Sequence, residues 1–528
     1  MTSLKDAKDH PSVVQMEAPS TYRQGSVSQR RESNVSAKVR AGRASFTRQV
    51  ILRTHDGDVS PGQERKDMAE TLRRLEQIFT ITPQRMRKIV DGFQDVLENG
   101  LEKPDQMVPM IPTWVFGWPT GKEMGAYLAV DLGGTNLRVC EVELEGDGKF
   151  AITQSKYKLT DEQKLGDGQA LFDFCAECLG SFIKDHYENE DGTVILDKDI
   201  SLGFTFSYPC SQERIDHASL IRWTKGFGAS GVEGEDVVAM MRKSLEKNKV
   251  PVKITACIND TTGTLMASHY VDPRTRLGII FGTGCNAAYV EKVGNIPKIA
   301  HLGLPPDAQV AINCEWGAFD SETNEYLPRT KYDIHIDKTS NKPGEQAFEK
   351  MIAGLYLGEV FRLVMMDMIE EGILFLGQNT YKLEKPFCFD TAFVSLIEAD
   401  STEDLLTVLG LFSHFFQIET TIAERQFFKR LAVLIGTRSA RLSACGIAAI
   451  VSRMGYLDEG GCGVATDGSL YKQYPKFPER LEEALVDIFG EKGKTINTYH
   501  AEDGSGVGAA IIAAMSKERL EKGEIKGV

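Results

Sequence analysis

Basic charge is what this 528-residue chain has too little of: 61 Lys and Arg stand against 75 Asp and Glu, a formal net charge of -14. A dedicated nucleic-acid binder needs a dominant basic face, so no nucleic-acid partner is expected. Long apolar runs are missing as well. None approaches the roughly 20 residues of a membrane span, and the N-terminus lacks the apolar core of a secretory signal. No membrane span is therefore expected, and the expected compartment is reducing and cytoplasmic. There, ten cysteines scattered along the chain read as free thiols rather than a disulfide framework. Paired metal ligands are scarce too. Cys175 and Cys178 sit one turn apart in the helically spaced "LFDFCAECLGSFI", but no second CxxC or nearby His pair completes a zinc site. Two thiols on a buried helix face are the better reading. His217, His269 and His301 are isolated, and read as hydrogen-bonded core or surface residues.

Residues 1–66 are poor in aromatics, rich in Ser, Arg, Gln and Lys, and without sustained periodicity. Such a segment buries too little apolar surface to offset its ordering entropy, and reads as a disordered, mildly basic tail. A mitochondrial presequence shares the Arg and Ser, but Asp6, Asp9 and Glu17 weigh against it. In the tail, "QRRESNVS" places Arg30 and Arg31 three and two residues before Ser33. Basic-directed kinases favour that spacing, although it also arises by chance in Ser/Arg-rich tails. The globular part opens with "DMAETLRRLEQIFTITPQRMRKIVDGFQDVLENGL", whose helical spacing stops at Gly100. Strand-like runs then alternate with helical ones: 127–132, 137–144, 200–208, 254–258 and 278–281 against 236–247, 343–368 and 424–454. Mixing of this kind implies α/β layers.

One strand-like run is oddly interrupted. "LAVDLGGTNLRVCEVEL", residues 128–144, alternates well, breaks into Asp, Gly-Gly, Thr and Asn, then resumes. A tight hairpin explains the Gly and Asn. A phosphate site explains them too, because glycines leave backbone N–H groups open to an anion and the Asp can hold an accompanying cation. "LGIIFGTGCNAAYVE", residues 277–291, repeats the grammar about 150 residues later. Two such hairpins suggest related halves facing a shared phosphate, which favours the anion-binding reading.

Four further stretches carry polar residues at strand or helix ends. "LGFTFSYPCSQERIDHASLIRWTKGF" holds Ser207, Thr224 and Lys225; "CINDTTGTL" holds Asn259 and Asp260. "AINCEWGAFD" presents Glu315, and "KPGEQAFEKMIAGLYLGE" opens a helix at Pro343 with Gln346 and Glu349 in its first turns. Together with "VDLGGTNLRV", "GTGCNAAY", "PMIPTWVFGWPTGKE" and "LPRTKYD", these stretches resemble, in order, the signatures of the hexokinase family. The likeness is to its fungal hexokinase and glucokinase members, and it covers residues 66–528.

The resemblance implies an actin-like (ribonuclease H-like) duplicated α/β fold, two lobes around a central cleft. Residues 67–119 and 259–510 would form the large lobe and 120–258 the small one, with 511–528 a C-terminal helix packing on the latter. It also implies ATP-dependent phosphorylation of D-glucose, with other hexoses open, at the 6-hydroxyl, with glucose and MgATP as partners and Mg²⁺ as cofactor. By matching motif, Ser207, Thr224, Lys225, Asn259, Asp260, Asn286, Glu315, Gln346 and Glu349 resemble the sugar-binding set. Carboxylates and amides of this kind each hold a pair of hydroxyls. Asp131, Gly133, Gly134, Thr135, Asn136, Gly282 and Thr283 resemble the phosphate-binding positions, with Asp131 reaching Mg²⁺ through water. Arg138 is either part of that set or a surface residue of the second strand. Gly468 and Ser469, in "VATDGSLYKQYP", match a further loop on the nucleotide side.

Asp260 is the expected catalytic base, since the attacking hydroxyl must be oriented and lose its proton. A helix cap is the plain alternative for it. Lys225 is expected to touch both sugar and transferring phosphoryl group. "AEDGSGVGAAIIAAM" fits G-x-G-x-x-A, but fewer than twenty residues remain after Ala509, too few for a dinucleotide-binding unit. Gly504 and Ser505 are instead expected to press close to the adenosine. Trp223 and Trp316 read as packing. Glu345 stands where the family often has Gln, and is expected to face away from Glu349. A glucose sensor without catalysis is the alternative function, but it would be expected to lose some of Asp131, Lys225, Asp260 and Thr283, and all four are present. Self-association is left open.

Overall fold

The computed structural model describes residues 61–189 and 200–522. The chain divides into two compact units, Met1–Gln63 and Glu64–Val528, and the fold described is that of the second. Ser33 and the tail up to residue 60 lie outside the described residues. The last of the stretch read as tail belongs to a helix, Pro61–Phe79. Its opening "PGQERKD" is wholly polar, which is why composition alone merges it with the tail.

Two sheets carry the architecture. The smaller runs, edge to edge, Lys149–Lys158, Asn136–Gly146, Met124–Leu132, Ile200–Phe206 and Val252–Ile258. Its first two junctions are antiparallel and its last two parallel. The larger runs Gln309–Asn313, Cys285–Lys292, Thr275–Phe281, Cys462–Asp467 and Ile496–His500, with Ile111–Phe116 added antiparallel outside Gln309–Asn313. Its corresponding junctions are again antiparallel, antiparallel, parallel, parallel. Numbered along the chain, each sheet therefore has the order 3-2-1-4-5. That repeated order is the duplication the two glycine hairpins suggest. Each hairpin joins the first two strands of its sheet.

Buried apolar residues form a large core under the larger sheet, a second around the smaller sheet, and a third between the two. In the third lie the helices Asp260–Val271 and Gly504–Glu521, packed on one another; the first touches the larger sheet and the second the smaller. Glycine makes this approach possible. A Cβ on Gly508 would stand 2.0 Å from the Gly263 carbonyl oxygen, and one on Gly263 would stand 2.8 Å from that of Ser505. The run "GSGVGAA" is thus a helix–helix contact.

Three of the helix expectations need correction. The helical stretch ending at Gly100 is two helices, Pro61–Phe79 and Pro83–Glu102. Pro83 cannot donate into a preceding turn, so Thr82 caps a fresh start and accepts from the Arg85 N–H. Gly100 does not stop the second helix; it lies inside it, where a Cβ would meet the Val108 carbonyl oxygen at 2.2 Å. The helix expected over 343–368 begins only at Ala347 and breaks at Ala353 before Gly354–Glu370. At the break the Gly354 N–H donates to the Gly282 carbonyl, 2.8 Å away, so a tertiary bond to the second glycine hairpin replaces a helical one.

The 33-residue helix Ile422–Met454 is, among the described residues, the one helix long and apolar enough to cross a membrane, contrary to the expectation that no run approaches that length. It is a core helix: 83% of its apolar window is buried inside the fold. Arg438 at its middle makes a buried two-bond pair with Asp333. All ten cysteines are unpaired, and Cys175 and Cys178 are buried on the helix Gly168–Tyr187.

Candidate active site

The two glycine hairpins point their turns into one cavity of about 310 Å³, within the range of small-molecule sites. Of the residues singled out in the sequence, Asp131, Gly133, Gly134, Thr135, Arg138, Ser207, Thr224, Lys225, Asn259, Asp260, Gly282, Thr283, Asn286, Glu315, Gln346, Glu349, Gly468, Ser469 and Ser505 all line it. Asn136 and Gly504 do not. The Asn136 amide donates to Thr135 Oγ1, and Gly504 backs onto Thr264 rather than onto the cavity. His217, His269 and His301 lie elsewhere. His269 is buried, with its Nδ1 2.9 Å from the Thr275 carbonyl oxygen.

The helix Asp260–Val271 settles which residue caps it. Asn259 is the N-cap, its Oδ1 accepting from the N–H and hydroxyl of Thr261. Asp260 is the first helical residue, where the helix dipole favours a carboxylate. Its Oδ1 also accepts from the Thr261 N–H, while Oδ2 faces the cavity and lies 3.3 Å from Lys225 Nζ. That ammonium donates as well to the Ser207 carbonyl at 2.9 Å. Lys225 sits at φ 55°, a left-handed backbone that aims its side chain back past Gly134. Trp223 beside it is packing: its indole donates to the Ala229 carbonyl and its rings meet Phe206, Tyr208 and Phe227.

The amide and carboxylate set interlocks. Asn286 Nδ2 donates to Glu315 Oε1 at 2.9 Å and to Asn313 Oδ1 at 2.7 Å, and its Oδ1 accepts from the Glu315 N–H. Asn313 Nδ2 donates to the same Glu315 oxygen. Glu349 accepts from the Cys285 N–H at 3.0 Å. A side chain on Gly284 would collide with it, a Cβ there standing 2.6 Å from Glu349 Oε2. Asn313 is a positioning residue that sequence reasoning missed. Its signal, an Asn two residues before Glu315 at the end of a strand, was available in "AINCEWGAFD".

At the phosphate end, Asp131 Oδ2 accepts from Ser505 Oγ at 2.6 Å. Its Oδ1 is buried and has no hydrogen-bond partner among the described residues. Arg138, one of the two open readings, lines the cavity and pairs with Asp503 at 3.3 Å. Asp467, also missed, lines the cavity next to Gly468, whose N–H donates to it. The clue was in "VATDGSLYKQYP": an acidic residue closing a strand before Gly, as in the first hairpin. A second cavity, about 560 Å³, shares Thr283 and Ser469 with the first and has Leu355, Phe387, Phe389 and Leu396 in its walls.

Burial raises the carboxyl pKa of Asp131, Glu315, Glu349 and Asp467 above the ordinary range. The counter-pull comes chiefly from Arg138, Asn313, the Cys285 N–H and the Gly468 N–H respectively. Burial works against the Lys225 ammonium, but Asp260, Glu349 and Glu315 outweigh it and its pKa is raised. The site thus holds a protected cation amid a surplus of carboxylates. That surplus and the orphaned Asp131 oxygen fit a hard divalent cation. No group of three or more metal-ligating side chains occurs among the described residues, so such an ion would take much of its shell from water and ligand oxygens.

Two family models described as hexokinase match the chain, over residues 71–270 and 276–515. Hexokinase of Emericella nidulans is 48% identical over 470 residues, spanning 88% of this chain and 94% of the relative. Hexokinase-1 of Schizosaccharomyces pombe is 48% identical over 452 residues, spanning 85% and 91%. Among solved structures, a Schistosoma mansoni hexokinase complexed with glucose is 35% identical, with a TM-score of 0.78 over 87% of this chain and all of that one.

Proposed function

The chain belongs to the hexokinase family, and on that footing we propose that its cleft transfers the γ-phosphoryl group of ATP to the 6-hydroxyl of D-glucose, with Asp260 as the base. One observation carries the reading: Asp260 Oδ2 and Lys225 Nζ stand 3.3 Å apart where the amide and carboxylate set meets the two glycine turns. Phosphoryl transfer asks the protein mainly for positioning and charge stabilisation. Asn259, Asn286, Glu315 and Glu349, with Ser207 and Thr224 opposite, would bind and orient the sugar hydroxyls. Asp260 would then take the proton of the attacking oxygen. Lys225, kept protonated by the surrounding carboxylates, would meet charge growing on the transferring group. The N–H groups of Gly134, Thr135 and Thr283 would cradle the phosphates, those of Gly133 and Gly282 being donated within their turns to the Asn136 and Gly284 carbonyls, and the cavity behind Thr283 and Ser469 has the apolar walls a nucleobase needs. Mg²⁺, where bound, supplies charge neutralisation of the phosphates, and Asp131 would hold it through its unpartnered oxygen, with water between. The lobe boundaries we assign are 67–119 with 259–503, and 120–258 with the C-terminal helix Gly504–Glu521 upon it; the boundary expected at 510 moves because that helix is one element. A cytoplasmic site of action is supported by the ten unpaired cysteines.

The test is Asp260→Ala. Turnover should fall by about 10²–10⁴, the usual contribution of a positioned base, while glucose binding, measured calorimetrically, weakens only several-fold because many contacts share it. Near-normal turnover in this variant would refute the assignment.

A further inference from the structure

Arg222 and Glu345 stand on opposite sides of the cleft. Arg222 leads directly into Trp223, Thr224 and Lys225, and its neighbours Leu220 and Trp223 belong to the core of the smaller sheet. Glu345 precedes Gln346, and its neighbours Ala347 and Phe348 belong to the core of the larger sheet. The two side chains meet, with Arg222 Nη1 3.4 Å from Glu345 Oε2. As the sequence leads one to expect, Glu345 turns away from the cavity that Gln346 and Glu349 line, and its side chain stays half-exposed. Its Oε2 is shielded from water and has no hydrogen bond among the described residues. The arginine is its one ionic partner among the described residues.

From this geometry we infer that Arg222 and Glu345 are positioning residues: an ion pair that latches the two lobes closed and thereby sets the affinity for sugar. The inference rests on the proposed reading of the cleft as a glucose site. The pair can form only when the segment bearing Thr224 and Lys225 approaches the segment bearing Gln346 and Glu349, so its energy belongs to the closed state alone. A ligand whose binding-competent state is partly populated binds more weakly by that fraction. Removing the latch lowers the closed fraction and so raises the apparent Kd. The chemistry itself, carried by other residues, proceeds as before once the cleft is closed. A half-exposed ion pair of this kind is modest and salt-sensitive, and corresponds to a roughly two- to fivefold change. The two partners are alike in one respect. Each carries one shielded polar atom without a hydrogen bond among the described residues, Arg222 Nε and Glu345 Oε2, so either single variant leaves a partly shielded charge without its counter-charge in the closed state.

The experiment measures glucose binding by calorimetry, KM and kcat by coupled assay, and the ligand-free scattering radius, for the wild type, Arg222→Gln, Glu345→Gln and the double variant. At low salt Arg222→Gln should weaken glucose binding roughly two- to fivefold and raise KM with kcat held. Adding Glu345→Gln to it should improve binding rather than worsen it, a rescue that simple loss of fold does not produce. High salt should erase the differences between variants. Single variants that bind glucose as the wild type does, or losses that add in the double variant, overturn the latch. If the wild type itself fails to bind glucose, the reading of the cleft falls instead. The ligand-free radius then decides the latch alone: a larger radius for Arg222→Gln sustains it, an equal radius overturns it.

Discussion

Glu315 shows how a residue can serve the site at the expense of the fold. Burial holds its carboxyl above the ordinary range, so the folded chain keeps that proton at pH values where the unfolded chain has lost it. Stability from this group is therefore greatest below the unfolded pKa and declines as pH rises through the folded one. Wherever the folded chain holds it ionised, the side chain is a net cost to folding. Glu315→Gln retains an oxygen to accept from both Asn286 and Asn313. Its thermal midpoint should rise, by an amount equivalent to roughly 0.5–2 kcal/mol, while glucose affinity falls about tenfold or more through loss of charged hydrogen bonds. Scanning calorimetry and equilibrium binding check the pair of effects, and a lowered midpoint contradicts the sign. The chemistry-bearing residues were legible because their types and local settings are specific: Asn259 with Asp260 at a strand end, glycines in a hairpin. Asn313 and Asp467 escaped because the clue each carries in its own stretch is a weak one. What marks them is the partner, Glu315 across one turn of chain and the cavity facing Gly468.

At the scale of elements, the run "GSGVGAA" illustrates one composition with two readings. Glycines near a proposed nucleotide suggest backbone contact with a ligand, but here Gly508 and Gly263 let two helices touch backbone to backbone. Gly508→Ala should drive the helices Asp260–Val271 and Gly504–Glu521 apart, at a cost of about 1–3 kcal/mol or more. Because the first of these helices begins with Asp260, kcat should fall together with the melting temperature. A variant with unchanged stability and turnover shows that the contact is looser than described. The broken helix at Ala353 makes the complementary point. Its sequence spacing is helical throughout, and the break is explained by tertiary bonds from the Gly354 N–H to the Gly282 carbonyl, between residues 72 apart, and from the Leu355 N–H to the Thr283 carbonyl. Hairpins were easier to read, since alternation and a glycine turn are local properties.

For the whole molecule, the two lobes of the actin-like sugar-kinase fold define the motion to be tested. Candidate sugar residues come from both sides, Ser207, Thr224 and Lys225 from one and Asn286, Glu315 and Glu349 from the other. Glucose should therefore favour the closed state and reduce the scattering radius. An unchanged radius at saturating glucose means that closure is not coupled to the sugar. Candidate nucleotide residues likewise come from both sheets, Asp131 and Gly133–Thr135 from one and Gly282, Thr283, Gly468 and Ser469 from the other. The sequence by itself determined the α/β class, the paired hairpins, the family likeness and nearly every residue of the cleft. These are short-range matters: alternation, turn chemistry and residue type within a dozen positions. The tertiary structure alone decided that both sheets share the order 3-2-1-4-5, that Asn259 rather than Asp260 caps the helix, and that Glu345 answers Arg222. Each of those depends on residues far apart in the chain meeting across packed cores, and no local pattern records which distant partner a side chain will find.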